Sequence, residues 1–454
     1  MSPGNETGFV NSPSSGPMFL EGFPQPRKPP DVMKASSVIL LFSAAASHAW
    51  PIYQLHEWGT FTTVSGSDGT LLAGLEREEE QLPAFAHAHI GLENGQASDP
   101  AEISRIYQQH GTIGINPPFS KGLGRRPLAG VTVKMETPVI YFHSEERAPI
   151  HATVKVGFDG GTISQWYPQR SGGEKLPEPP PSPDPANKPT PISAWTLDFT
   201  KKYQGSIEWD VDILPPAESR DLVLFKPGDT LGWLRARQPV TNAVRSTSGE
   251  TEGYLFYRGV GNFNPGLKTT VTTDETLHLE NLTGGRIPYL VAFELIDGRL
   301  RWAERSGGLD AKGTLSIPES DLKSEPLSFS EPLYRSMKTG LANCGLTDAE
   351  ARSMVETWWR SYFEAPGLRV FWVLPRESTD RLLPLETSPP PVEIVRVLVG
   401  RSEVLRPRKE AEWLAASRKT GDEANAWNYL VQADRFGLAI KERVKTMEKA
   451  TAAK

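Results

Sequence analysis

The chain has 454 residues, a formal charge of −6, and 40 residues each of Gly and Pro. That length exceeds one small domain and supplies ample apolar material for a core. With no basic tract interleaved with aromatics, nothing in the sequence calls for nucleic acid, and the Gly and Pro excess favours turns and strands over long helices.

The most specific signal lies near the N-terminus but not at it. From Met33 the chain reads MKASSVILLFSAAASHA: one positive charge at Lys34, an apolar stretch from Val38 to Phe42, then small residues to Ala49. Ser47 and Ala49 stand two apart, as small residues do before a signal-peptidase cut. The apolar core is too short to span a bilayer as a helix, so no transmembrane segment is expected in the mature chain. The reading is a cleavable signal peptide over 33–49, with Trp50 as the first mature residue and a periplasmic or extracellular destination. Residues 1–32 fit no secretory pattern and are either an upstream mis-start or a disordered leader.

Residues 50–175 read as an N-terminal β domain. TFTTV and TLLAG flank the turn Gly66-Ser67-Asp68-Gly69, and VTVKMETPVIYFH is one strand interrupted at Pro138. In HATVKVGF, Val154, Val156 and Phe158 face one way while Thr153 and Lys155 face the other. Leu176–Ser193 follows with eight prolines, an extended linker or long loop. Residues 194–325 read as a second β domain or sheet. Its clearest strand is GSIEWDVDI, where Ile207, Trp209, Val211 and Ile213 alternate with acidic partners. The fold class expected is mainly β, sandwich-like and antiparallel, with a C-terminal α/β portion. That portion, 326–454, opens with a capping box at Thr347–Glu350, holds two buried strands (LRVFWVL and VEIVRVLVG), and ends in amphipathic helices that either cover the sheet or mediate association.

Candidate chemistry centres on histidine. Of seven in the mature chain, six lie between His56 and His151. His87 and His89 form His-x-His; on a strand both imidazoles would leave one face, close enough to share a divalent transition metal such as zinc. Glu93 follows as a carboxylate. This half-motif resembles the first cupin motif, but Gln81 and Pro100 occupy the flanking glycine places and no second motif follows. The bland reading is two solvated histidines in a loop. His56 is a third candidate ligand, and Glu57 or Glu93 a candidate acid-base group. Strand geometry sends adjacent residues to opposite faces, so His56 and Glu57 cannot both serve one site. Glu78, Glu79 and Glu80 read as a solvated charged run. Tyr257 and Arg258, in YRGVGNF, would if exposed hold a carboxylate, phosphate or sugar; the bland reading pairs Arg258 with a core carboxylate. Trp166 looks loop-like and exposed, whereas Trp209, Trp358, Trp359 and Trp372 sit in apolar patterns that the core explains. Cys344 reads as a small buried apolar residue. No HExxH, zinc-type Cys pair, GxSxG or P-loop is present.

Taken together, HEWGTFT after a signal sequence, METPVIYFH, YRGVGNF and LRVFWVLPRESTDRLLPL resemble a group of uncharacterised secreted bacterial proteins with an HEWGTFT motif near the mature N-terminus. The resemblance implies homology and export over most of the mature chain and transfers no catalytic residue. Two functions are expected from the whole. One is a non-catalytic binding or scaffold role in the cell envelope, toward a polysaccharide or protein. The other is a metal-dependent hydrolase built on the His-rich segment. N-terminal sequencing of the exported protein should return a chain that begins at Trp50; one beginning well upstream contradicts the signal-peptide reading.

Overall fold

A computed structural model describes residues 52–79, 82, 83, 85–89, 122, 123, 128–176, 196–220, 222, 229–326 and 329–452. The signal-peptide segment, Glu80, Glu93, His110 and all but the first residue of the Pro-rich stretch lie outside the described residues. The described part is mainly β with some helices.

The strand Gln54–Ser65, which carries HEWGTFT, lies inside an eleven-stranded sheet. It pairs in parallel along its whole length with Glu393–Val404 and antiparallel with Val133–Met135 and Val139–His143. The break at Pro138 thus produces two short strands on one partner. Residues 55–65 are all buried, as expected of a strand covered on both faces. Gly59 is needed here because a Cβ at that position would stand 2.7 Å from the Pro138 Cα.

The rest of this sheet draws on all three segments that the sequence separates. Leu255–Gly261, Leu290–Ile296 and Arg299–Arg305 come from the second, and Gly367–Val373 and Glu393–Val404 from the third. The expected N-terminal and second β domains are not separate: both contribute strands to this sheet, and Trp50–Lys454 is one compact unit. The second segment adds a three-stranded sheet of its own, Leu267–Val271, Leu277–Asn281 and Thr314–Ile317. The parallel pairing at the centre of the large sheet joins the first strand to the last, which no local pattern reveals.

The alternating strands behave as read. Ile150–Asp159 and Gln204–Ile213 pair antiparallel in a six-stranded sheet, with Val156 opposite Ile207 and Val154 opposite Trp209. Their buried residues share an apolar cluster with Leu55, Phe61, Ile140 and Tyr257 of the large sheet. On the other face of the large sheet, Trp58 and Tyr141 cluster with Leu333, Met354, Val355 and Trp358 from the helices Glu331–Asn343 and Asp348–Trp358. The last helix, Gly437–Ala452, packs Ala439 and Ile440 against Val64, Leu75 and Val131, so the carboxy-terminal segment covers the chain's own body. Among the described residues no helix is long and apolar enough to cross a membrane.

Candidate functional site

Strand alternation splits His56 from Glu57, and each meets a different environment. Glu57 faces the apolar cluster between the sheets, where Tyr257 Oη donates to its Oε1 at 2.6 Å and Arg396 Nε donates to its Oε2. Arg396 is also held by Asp380 at 2.9 Å. A carboxylate fixed by a buried phenol and a guanidinium is a structural ion pair, not an acid-base group with access to a substrate. Glu57 as a catalytic residue is accordingly withdrawn.

His56 faces the helices. Its Nδ1 donates to Glu350 at 3.0 Å (Oε2) and 3.2 Å (Oε1). His143 sits opposite Gln54 in the neighbouring strand, diagonal to His56, and its Nε2 donates to Glu350 Oε1 at 2.9 Å. The two imidazole rings are 4.7 Å apart at 60°. Glu350 is the third residue of the helix that Thr347 caps. Its Oε2 also accepts from the Thr347 backbone N–H at 2.9 Å, and the Glu350 N–H is capped by Thr347 Oγ1. One carboxylate therefore closes a capping box and receives two imidazoles. Burial alone would raise the Glu350 carboxyl, but the hydrogen bonds from His143 and His56 outweigh it and hold the group down to about 2. Both histidines must present N–H toward Glu350 in this state, which sets their tautomers.

The His-x-His pair does not join this cluster. The strand there covers only His87 and Ala88, so two-residue alternation does not govern His89. His87 Nε2 donates to Glu250 at 2.8 Å, while His89 Nε2 donates to the Ile163 carbonyl at 2.7 Å. His87 lies over Tyr167 and His89 meets Trp166 edge-on. Both side chains are buried rather than solvated in a loop. Among the described residues, the single group of three or more side chains placed to share an ion is His56, His143 and Glu350. The expected ligand set of His56, His87 and His89 is thus replaced by one that keeps only His56.

The expected ligand-binding residues are interior. Trp166 is 3% exposed on the strand Gly161–Tyr167, with Arg170 over its ring at 4.1 Å. Tyr257 and Arg258 are 0% and 2% exposed on the strand Leu255–Gly261. Arg258 Nε donates to Gln165 at 2.6 Å and Nη2 to Glu78 at 2.7 Å. The cavity beside Arg258, lined by Val139, Trp233, Phe256 and Trp358, has a volume of about 30 Å³, space for about two waters. Cys344 is half-buried, and burial pushes its thiol up to about 11, away from the thiolate form.

Glu78 and Glu79, the described residues of the acidic run, have largely covered side chains, against expectation. Glu78 pairs with Arg258, and Glu79 with Lys134, Arg401 and Arg435. Glu403 binds Arg369, Arg401 and Arg435 in turn. The Arg401 guanidinium lies 4.1 Å over the Tyr362 ring. Burial acts to raise the Glu79 carboxyl, but Arg401, Lys134 and Arg435 together hold it well below the usual carboxylate range. Comparison with protein-family models and with curated proteins finds no match for the chain.

A carboxylate depressed in the folded state stabilises the fold above its unfolded value and loses that contribution as pH falls through its lower folded value. The thermal midpoint should therefore drop below about pH 4.5, the ordinary glutamate range. Glu79→Gln, which strands buried cations, should cost about 3–5 kcal/mol at neutral pH and flatten the acid slope. Thermal unfolding of both proteins between pH 7 and pH 3 checks this; parallel slopes would remove Glu79 from the account.

Proposed function

We propose that the protein is an exported, non-catalytic binding protein of the cell envelope that takes a polysaccharide on a surface aromatic cluster. Export rests on the Met33–Ala49 segment and on the resemblance to secreted HEWGTFT proteins. The observation that carries the binding reading is the group Phe329, Tyr334 and Trp359. Phe329 is 56% exposed, and its ring lies 4.7 Å from Trp359 and 5.2 Å from Tyr334. Trp359 is half-buried and is propped from behind by Phe363, stacked at 4.6 Å.

A partly exposed aromatic cluster offers apolar faces to the C–H side of a sugar ring, and its polar edge offers hydrogen bonds. Here Tyr334 donates to Glu356, which Arg235 also binds. Trp359 opens a five-residue π-helix, Trp359–Phe363, an irregularity frequent at functional sites. The groups with catalytic potential elsewhere, Glu57, Arg258, His87 and His89, are engaged in interior pairs. The two sheets around one apolar cluster, which we read as a sandwich-like frame, would hold the cluster rigid. A hydrolase reading would have to move its ligands to His56, His143 and Glu350, with Glu57 on the wrong face to serve as base.

Retention of the mature chain on peptidoglycan and on envelope polysaccharides tests the reading. Trp359→Ala should cost about 1 kcal/mol or more, at least about fivefold in affinity, with the circular dichroism unchanged. Failure of the unmutated chain to bind any envelope fraction, or binding indifferent to Trp359→Ala and Phe329→Ala, contradicts it.

A further inference from the structure

We infer that His56, His143 and Glu350 form a site for one divalent first-row transition ion of the zinc class. This goes beyond the binding role and does not depend on it.

Two imidazole nitrogens and a carboxylate oxygen are a donor set that such ions take. The three side chains come from elements that are independently rigid: two adjacent strands of the large sheet and the first turn of a capped helix. Their orientation is therefore settled before any ion arrives. The helix contributes further, because Thr347 N–H on Glu350 Oε2 fixes the rotation of the carboxylate.

The distances also fit. Two donors held about 2.0–2.1 Å from one ion, at angles between a right angle and a tetrahedral one, lie about 2.9–3.4 Å apart. His56 Nδ1 stands 3.0 Å and His143 Nε2 2.9 Å from their nearer Glu350 oxygens. All three donors lie within 4.8 Å of one another. An ion must close the span between the imidazoles to about 4 Å or less, because each bond is only about 2 Å long. Its arrival exchanges two N–H···O hydrogen bonds for two N–metal bonds. The proton that each imidazole now donates passes to the other ring nitrogen or to water.

Access comes from one side. The His143 side chain is 23% exposed, against 8% for His56 and 0% for Glu350. Three protein donors would leave a fourth tetrahedral position for water, and His143 is the ligand most open to solvent.

The test uses the full mature chain, purified without an affinity tag and stripped with a chelator. Titration with Zn²⁺ should show about one equivalent of saturable binding and a rise in thermal midpoint. Co²⁺ in its place should give the visible absorption of a low-coordinate centre. His143→Ala, the change at the most exposed ligand, should weaken binding by at least about tenfold, since even outer-shell partners of ligating histidines are worth that much. Glu350→Gln keeps an acceptor for the Thr347 N–H, so the helix cap survives, and it should show the same loss. His87→Ala should bind as the unmutated chain does. Absence of saturable Zn²⁺ binding overturns the site, as does binding unchanged in both ligand variants. Loss of binding on His87→Ala would move the metal to the His-x-His segment. None of these outcomes depends on polysaccharide retention, so the two readings fail separately.

Discussion

The Glu350 carboxylate joins three stretches of chain that are far apart in sequence. It caps its own helix through Thr347 and receives His56 from the first strand and His143 from that strand's neighbour. A fully buried carboxylate is tolerated only when its lone pairs are filled, and here four donor contacts fill them. The consequence is positional. The helix Asp348–Trp358 is held at one end over the large sheet, and its apolar side then lies on Trp58, Tyr141 and Val139. From the same helix the chain runs into Trp359–Phe363, so the surface aromatic cluster inherits its position from this attachment.

A second constraint operates at the other end of the same strand pair. Lys134, Arg369 and Arg401 are fully buried, and Glu79, Glu403 and Arg435 surround them. Removing such charges from water is costly, and mutual attraction offsets the cost only when every charge has partners of good geometry. The aromatic rings of Tyr362 and Phe436 supply additional faces for the guanidinium groups. Arg435 follows the penultimate helix, so this network ties the carboxy-terminal helices to the sheet. Both ends of the Gln54–Ser65 strand are thus anchored by charged side chains, with apolar packing between them.

Elements set by local pattern were legible in the sequence. Alternation in Ile150–Asp159 and Gln204–Ile213 appears unchanged in the burial of their side chains, because period two is a property of the strand itself. The Thr347–Glu350 capping box and the break at Pro138 are equally local. The split of His56 from Glu57 followed from geometry alone. What was not legible depends on partners distant in the chain. The Glu78-Glu79 run resembles a solvated surface because nothing nearby announces Arg401, 322 positions away. Glu350 gave a helix signal only, with its histidines 294 and 207 positions away. His87 and His89 misled because the strand that would align them is two residues long. Trp166 misled because a Trp flanked by polar residues resembles a loop residue yet lies on a buried strand, while Trp359, on an amphipathic helix, packs one side against the core and leaves the other partly exposed.

The central claim is that Glu350 and His56 are energetically coupled and hold the helix to the first strand, with or without an ion. A double-mutant cycle of His56→Ala and Glu350→Ala, read by urea unfolding in the presence of a chelator, measures that coupling directly. The account predicts an interaction energy of about 1–3 kcal/mol. Effects that add within about 0.5 kcal/mol would contradict it.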